Sequence, residues 1–154
     1  MQDHLAEFDL DHHGHPDPKA VYQSVVAHNH LAAGVRQVFP RTARHPLVAM
    51  VVCMDARIDT EELVGDTRKY YYVLRTAGSA LAEKELDMLE LAVNNGVETI
   101  LLTRHTDCAA ERVANDPNLR SQYPHLVAAI DGRDAIDKAL VARPVIARKL
   151  AAGA

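Results

Sequence analysis

His105-Thr106-Asp107-Cys108 is an H-x-x-C pair, short enough for both side chains to reach one ion. The chain has one other cysteine, Cys53, far upstream. Together the three offer two thiolates and one imidazole, a donor set that suits zinc and leaves a fourth position for water or substrate. Other readings exist for the same residues. Two thiols can close a disulfide, which a reducing cytosol disfavours, and a free cysteine often packs as a small hydrophobe. Cys53 also opens a second pattern, C-x-D-x-R, over Cys53-Met54-Asp55-Ala56-Arg57. Side chains two apart in an extended segment point the same way, and an arginine fork can orient a carboxylate and keep it ionised. Asp55 held by Arg57 could accept a hydrogen bond from metal-bound water or take the open position itself. Taken alone, an Asp-x-Arg pair is more often a surface salt bridge.

These residues matter only if the chain brings them together, and the surrounding pattern predicts that it does. Leu47 to Cys53 (LVAMVVC) is an unbroken apolar run, the signature of a strand buried on both faces of a parallel sheet. Tyr70 to Leu74 (YYYVL) and Thr99 to Thr103 (TILLT) read as two further strands, the first ending in Arg75-Thr76-Ala77-Gly78 and the second in Arg104-His105. Between them Leu81, Leu86, Leu89 and Val93 share a helical face, and Asn95-Gly96 supplies a stop. Strand, connection, strand, helix, strand is the grammar of a parallel sheet with right-handed crossovers. Ligands collect beyond the carboxyl ends of such strands, where Cys53, Arg75 to Gly78, His105 and Cys108 all fall. Asp17-Pro18 predicts a helix start, with apolar residues from Val21 to Val38 mostly at helical spacing. Glu111 to Leu150 reads as mainly helical, broken at Asp116-Pro117, Pro124, Asp131-Gly132 and Pro144.

The chain of 154 residues fits a single domain with one hydrophobic core, at 48% hydrophobic and 25% charged residues. The expected organisation is a His-rich N-terminal arm over residues 1–18 and an α/β domain over 19–154, a parallel sheet flanked by helices. A net charge of -4 without a basic tract argues against a nucleic-acid partner. The apolar runs are too short to cross a bilayer, and the N-terminus lacks a secretion signal. A cytoplasmic location is expected, and a protein packed into an intracellular microcompartment would look the same. Among nine histidines, His4, His12, His13 and His15 crowd the N-terminus, so not every histidine reads as a ligand.

Taken as a set, C-x-D-x-R after an apolar strand, R-x-A-G, and H-x-D-C after another strand resemble the β-class carbonic anhydrases. CMDARID and HTDC are most similar to the small prokaryotic branch of that class, and the resemblance runs from about Asn29 to Cys108. It implies a β-carbonic-anhydrase-like fold with Zn2+ held by Cys53, His105 and Cys108, and a catalytic dyad of Asp55 and Arg57. Arg75, Thr76, Ala77 and Gly78 would form the pocket wall, joined by Ala109. It further implies a homodimer or higher homo-oligomer that interconverts carbon dioxide and bicarbonate by attack of zinc-bound hydroxide. His45 and His125 could serve as proton shuttles, though a solvated surface histidine is the commoner role for either.

Four features depart from that pattern. Ala109 stands where the family usually has Gly, Thr76 replaces the Asn of R-N-A-G, Arg104 precedes the ligand histidine, and the strand that usually follows the last helix is missing. An added methyl at Ala109 would narrow the pocket or tilt the amide that meets the substrate oxygen. None of the four removes a ligand or the dyad. Two alternatives to a carbonic anhydrase therefore stand: a related zinc hydrolase of carbon disulfide or carbonyl sulfide, and a catalytically weak homologue acting as a binding or assembly module.

Overall fold

The computed structural model describes residues 17–40 and 45–153, the side chains at 68 and 69 excepted. The His-rich arm, with His4, His12, His13 and His15, lies outside the described residues. The chain divides into two compact units, Met1–Ala43 and Arg44–Ala154.

In the first unit, α1 (Pro18–Val38) starts at the predicted residue. The Asp17 carboxylate accepts from the Lys19 N–H at 3.2 Å, and Pro18 occupies the first turn, where its missing N–H costs nothing.

The second unit is built on a parallel three-stranded sheet of order β2-β1-β3, with β1 (Val48–Cys53) in the middle. β2 (Tyr71–Thr76) pairs with β1 in the register Val48↔Tyr71 to Cys53↔Thr76, and β3 (Thr99–Leu102) pairs from Val48↔Thr99 to Val51↔Leu102. The unbroken apolar run was the right signal for the central strand. Ala49, Met50, Val51, Val52 and Cys53 are all buried, so both faces are covered. Burying a valine-sized side chain contributes about 1.5–3 kcal/mol, so this strand anchors the unit.

Two short helices, α2 (Thr60–Val64) and α3 (Thr67–Tyr70), join β1 to β2. A single 3-10 turn (Ala77–Ser79) leads from β2 towards α4 (Glu83–Asn94). Leu86, Leu89, Ala92 and Val93 of α4 pack with Ala49, Val51, Leu81, Val97, Leu140 and Ile146 as the main core. Asn95-Gly96 ends α4 as predicted, with Gly96 at φ 108 and the Val97 N–H bonded back to Ala92 O at 3.0 Å.

After β3 come α5 (Ala109–Asn115), α6 (Pro117–Arg120), α7 (Pro124–Val141) and α8 (Pro144–Ala151). The prolines at 117, 124 and 144 open these helices rather than merely interrupting them. The break expected at Asp131-Gly132 does not occur, because α7 runs straight through it. An interior glycine costs only about 1 kcal/mol against alanine. The next residue, Arg133, is buried and bonded through Nη1 and Nη2, though its Nε has no partner, and these two bonds hold the helix in place. Among the described residues no strand follows α8.

Candidate metal centre

The carboxyl ends of β1, β2 and β3 lie on one edge of the sheet, since all pairings are parallel. β1 delivers Cys53 as its last residue. Beyond β3, Thr103 continues the edge with its N–H and hydroxyl both bonded to Val51 O, at 3.1 and 2.7 Å, and the chain then turns to His105 and Cys108. The turn is made at Asp107, whose φ of 55 is left-handed, a conformation that Asp tolerates better than most residues.

The result is a compact donor cluster. Cys53 and Cys108 are each 4% exposed, their Sγ atoms are 4.0 Å apart, and one ligand atom from each of Cys53, His105 and Cys108 lies within 4.8 Å of the others. His105 Nδ1 is 2.9 Å from Thr106 O, which fixes it as an N–H donor and leaves Nε2 as the nitrogen placed to ligate once deprotonated. Nε2 is buried and has no hydrogen-bond partner. A buried polar atom left unmet costs on the order of 1–3 kcal/mol. An ion among the two sulfurs and this nitrogen would meet it, so the donor set fits zinc.

The charges are arranged accordingly. Burial pushes the Cys53 thiol up, but the Asp55 backbone, His105, the Gly78 backbone and Cys108 together outweigh it and leave the thiol lowered. The Cys53 sulfur as a hydrogen-bond acceptor raises His105, ahead of the opposing effect of burial, so without a metal the pair leans towards thiolate and imidazolium. The site thus favours thiolate, the form that binds metal.

Asp55 and Arg57 form a bidentate pair beside the cluster. Arg57 Nε donates to Asp55 Oδ1 at 3.0 Å and Nη2 to Oδ2 at 2.7 Å, while the Arg57 N–H adds a bond to Oδ1 at 2.9 Å. These side-chain bonds, then the backbone bond, hold the Asp55 carboxyl well below the usual carboxylate range. The Arg57 side chain is 61% exposed and that of Asp55 only 14%. A cavity of about 340 Å³ adjoins Asp55, lined also by Cys53, Cys108, Ala77, Gly78 and Ala109, with Val113 and Leu126 adding to its apolar wall.

Arg75 and Thr76 lie elsewhere. The Arg75 guanidinium turns to the backbone, donating from Nη2 to the carbonyls of Cys53, Asp55 and Ile58 at 3.1, 2.8 and 2.9 Å and from Nε to Cys53 O at 3.2 Å. It clamps the loop that carries Cys53, Asp55 and Arg57. Thr76 Oγ1 is buried without a hydrogen-bond partner and is not among the cavity-lining residues. His45 and His125 are exposed and stand outside the donor cluster.

Three residues shape the centre without having been singled out for it. Asp107 bonds Arg57, and Arg104 ties the His105 loop to α7 through Asp134 and Asp137. Arg133 reaches from α7 to Gly78 O and to Glu111 of α5, each at 2.7 Å. Asp107 sat inside a motif already under scrutiny. The roles of Arg104 and Arg133 depend on how α7 docks, for which the sequence carries no local signal.

Residues 48–148 match the family model described as carbonic anhydrase. The chain is 31% identical over 70 residues to β-carbonic anhydrase 1 of Mycobacterium tuberculosis, an alignment covering 45% of this chain and 43% of that protein. It therefore spans less than half the length of that curated relative. The fold is similar to a tetrameric β-carbonic anhydrase of Sordaria macrospora, with a TM-score of 0.57, 16% identity and 86% of each chain covered. It is also similar to β-carbonic anhydrase isoform I of Trichomonas vaginalis, with a TM-score of 0.56, 18% identity and 81% and 85% of the two chains covered. Fold and family match agree, and the chain belongs to the β-carbonic anhydrase family.

Proposed function

We propose that this protein is a zinc-dependent carbonic anhydrase that interconverts carbon dioxide and bicarbonate, with Cys53, His105 and Cys108 as its metal ligands. The observation that carries the reading is the unmet His105 Nε2 between two buried sulfurs, next to a carboxylate held by an arginine fork. Zinc, when bound, supplies the Lewis acidity that makes water a nucleophile at neutral pH. The protein's part is to place groups around that chemistry. Asp55, kept ionised by Arg57, faces the cavity that Cys53 and Cys108 border and can accept a proton-bearing donor there. Ala77, Gly78, Ala109, Val113 and Leu126 give the cavity an apolar wall suited to an uncharged linear substrate. Arg75 acts one step back, fixing the loop on which Cys53 and Asp55 sit.

A homodimer or higher oligomer in the cytoplasm completes the proposal. The Sordaria macrospora relatives are tetrameric, and Tyr72, Val73, Met88 and Leu91 leave an apolar surface across β2 and α4. No described helix is long and apolar enough to cross a membrane.

The test is stopped-flow hydration of carbon dioxide, with zinc content measured on the same sample. Stoichiometric zinc without hydration would overturn the activity. The ligand assignment has its own check: Cys108→Ser should lose most of its zinc after dialysis, and full retention would refute it.

A further inference from the structure

The Arg57 guanidinium holds two carboxylates, not one. Beyond its bonds to Asp55, Nη1 donates to Asp107 Oδ2 and Nη2 to Asp107 O, both at 3.0 Å. The four bonds use different N–H groups of a five-donor fork, so Asp107 and Asp55 do not compete for donors. The partners belong to the two chain segments that carry the donors: Asp55 follows Cys53, and Asp107 lies between His105 and Cys108. Asp107 is itself held, its Oδ1 lying 3.2 Å from Arg112 Nη1.

We propose that Asp107 is a positioning residue that fixes Arg57 in the orientation keeping Asp55 away from the metal's open coordination position. The inference rests on the zinc reading above. The competing effect would be that Asp107 weakens the Asp55–Arg57 pair by sharing its charge. Exposure decides between the two. The Arg57 and Asp107 side chains are 61% and 56% exposed, so charge sharing is heavily screened. Freeing an exposed arginine instead restores up to about 2 kcal/mol of rotamer entropy to wandering. Without Asp107, Arg57 drifts and Asp55, facing the shared cavity, is released towards the ligands. The same exposure means that losing this ion pair costs little global stability, so the effect is separable from unfolding.

The probe is azide binding to cobalt(II)-loaded protein, read from the visible spectrum, with cobalt content and melting temperature on each sample. Asp107→Asn keeps the backbone carbonyl and tolerates the left-handed turn. It should load cobalt and melt like the parent yet bind azide about tenfold more weakly, because apparent affinity scales with the open fraction. In an Asp55→Ala background the same change should alter azide affinity by less than about twofold. Arg57→Lys keeps the charge but cannot bridge two carboxylates, so it should weaken azide similarly and not add to Asp107→Asn. It also serves as the test if Asp107→Asn does not fold. Unchanged azide affinity in cobalt-loaded variants, or a full effect of Asp107→Asn without Asp55, overturns this proposal alone. A parent that takes up no cobalt overturns the zinc reading and this one together.

Discussion

At Gly78 the backbone sits at φ 61 and ψ 21, in the left-handed region, where the chain leaves β2 and lines the cavity beside Cys53 and Cys108. A Cβ there would overlap Ile130 Cδ1 and lie 3.3 Å from Ala110 Cβ. The isoleucine tip can rotate aside, so the backbone is the larger obstacle. Gly78→Ala should cost about 1–2 kcal/mol in urea denaturation, the penalty for an alanine in that conformation. A loss near zero would mean that the turn relaxes instead. The neighbouring arginine teaches a different lesson. Its place at a strand tip was legible from sequence, and the resemblance assigned it to a pocket wall. In the structure its guanidinium donates to three carbonyls of the Cys53–Ile58 loop. A donor-rich side chain beside bare carbonyls folds back onto them, and no sequence pattern lists where those carbonyls are.

The parallel sheet, its central strand and the α4 stop were readable because each rests on local chemistry: an apolar run, β-branched residues, an Asn-Gly pair. The continuous α7 was not, because what overrides Gly132 is tertiary, namely Arg133 pinned to the Gly78 turn and to α5. The same holds for Arg104, which reads as an oddity before a histidine and turns out to strap the His105 loop to α7 through Asp134 and Asp137. That strap has a pH signature. The hydrogen bond to Arg104, and then its charge, hold the Asp134 carboxyl below its ordinary value. A carboxylate depressed in the folded state contributes stability above its unfolded pKa of about 4 and loses it as pH falls through the folded value. Arg104→Gln should therefore unfold at lower urea than the parent at neutral pH, with the gap closing below about pH 4. A gap that persists undiminished to strongly acidic pH would show that the arginine works through packing rather than charge.

Across the molecule, the donor cluster brings together two segments far apart in the chain that no disulfide links, since Cys53 and Cys108 are free thiols. An ion bound there and not by the unfolded chain stabilises by mass action, about 2.7 kcal/mol at a hundredfold excess over its dissociation constant. Stripping metal with a chelator should lower the parent's melting temperature, and readdition of zinc should restore it. Cys108→Ser should show neither response, and a variant that tracked the parent would place the stabilising ion elsewhere.

The separation of the two sulfurs along the chain also sets a clock on synthesis. Cys53 and Cys108 are 55 residues apart, and translation at 5–20 residues per second separates their emergence by about 3–11 s. Through that interval β1, the most deeply apolar strand, leads with an unpartnered thiol at its tip. For most of that interval β3, the partner of β1 on one side, and the two donors beyond it have not been made. The nascent chain therefore passes through a window in which its most apolar strand lacks one neighbour and Cys53 lacks its two fellow donors, and the proposed ion could be seated only after that window closes.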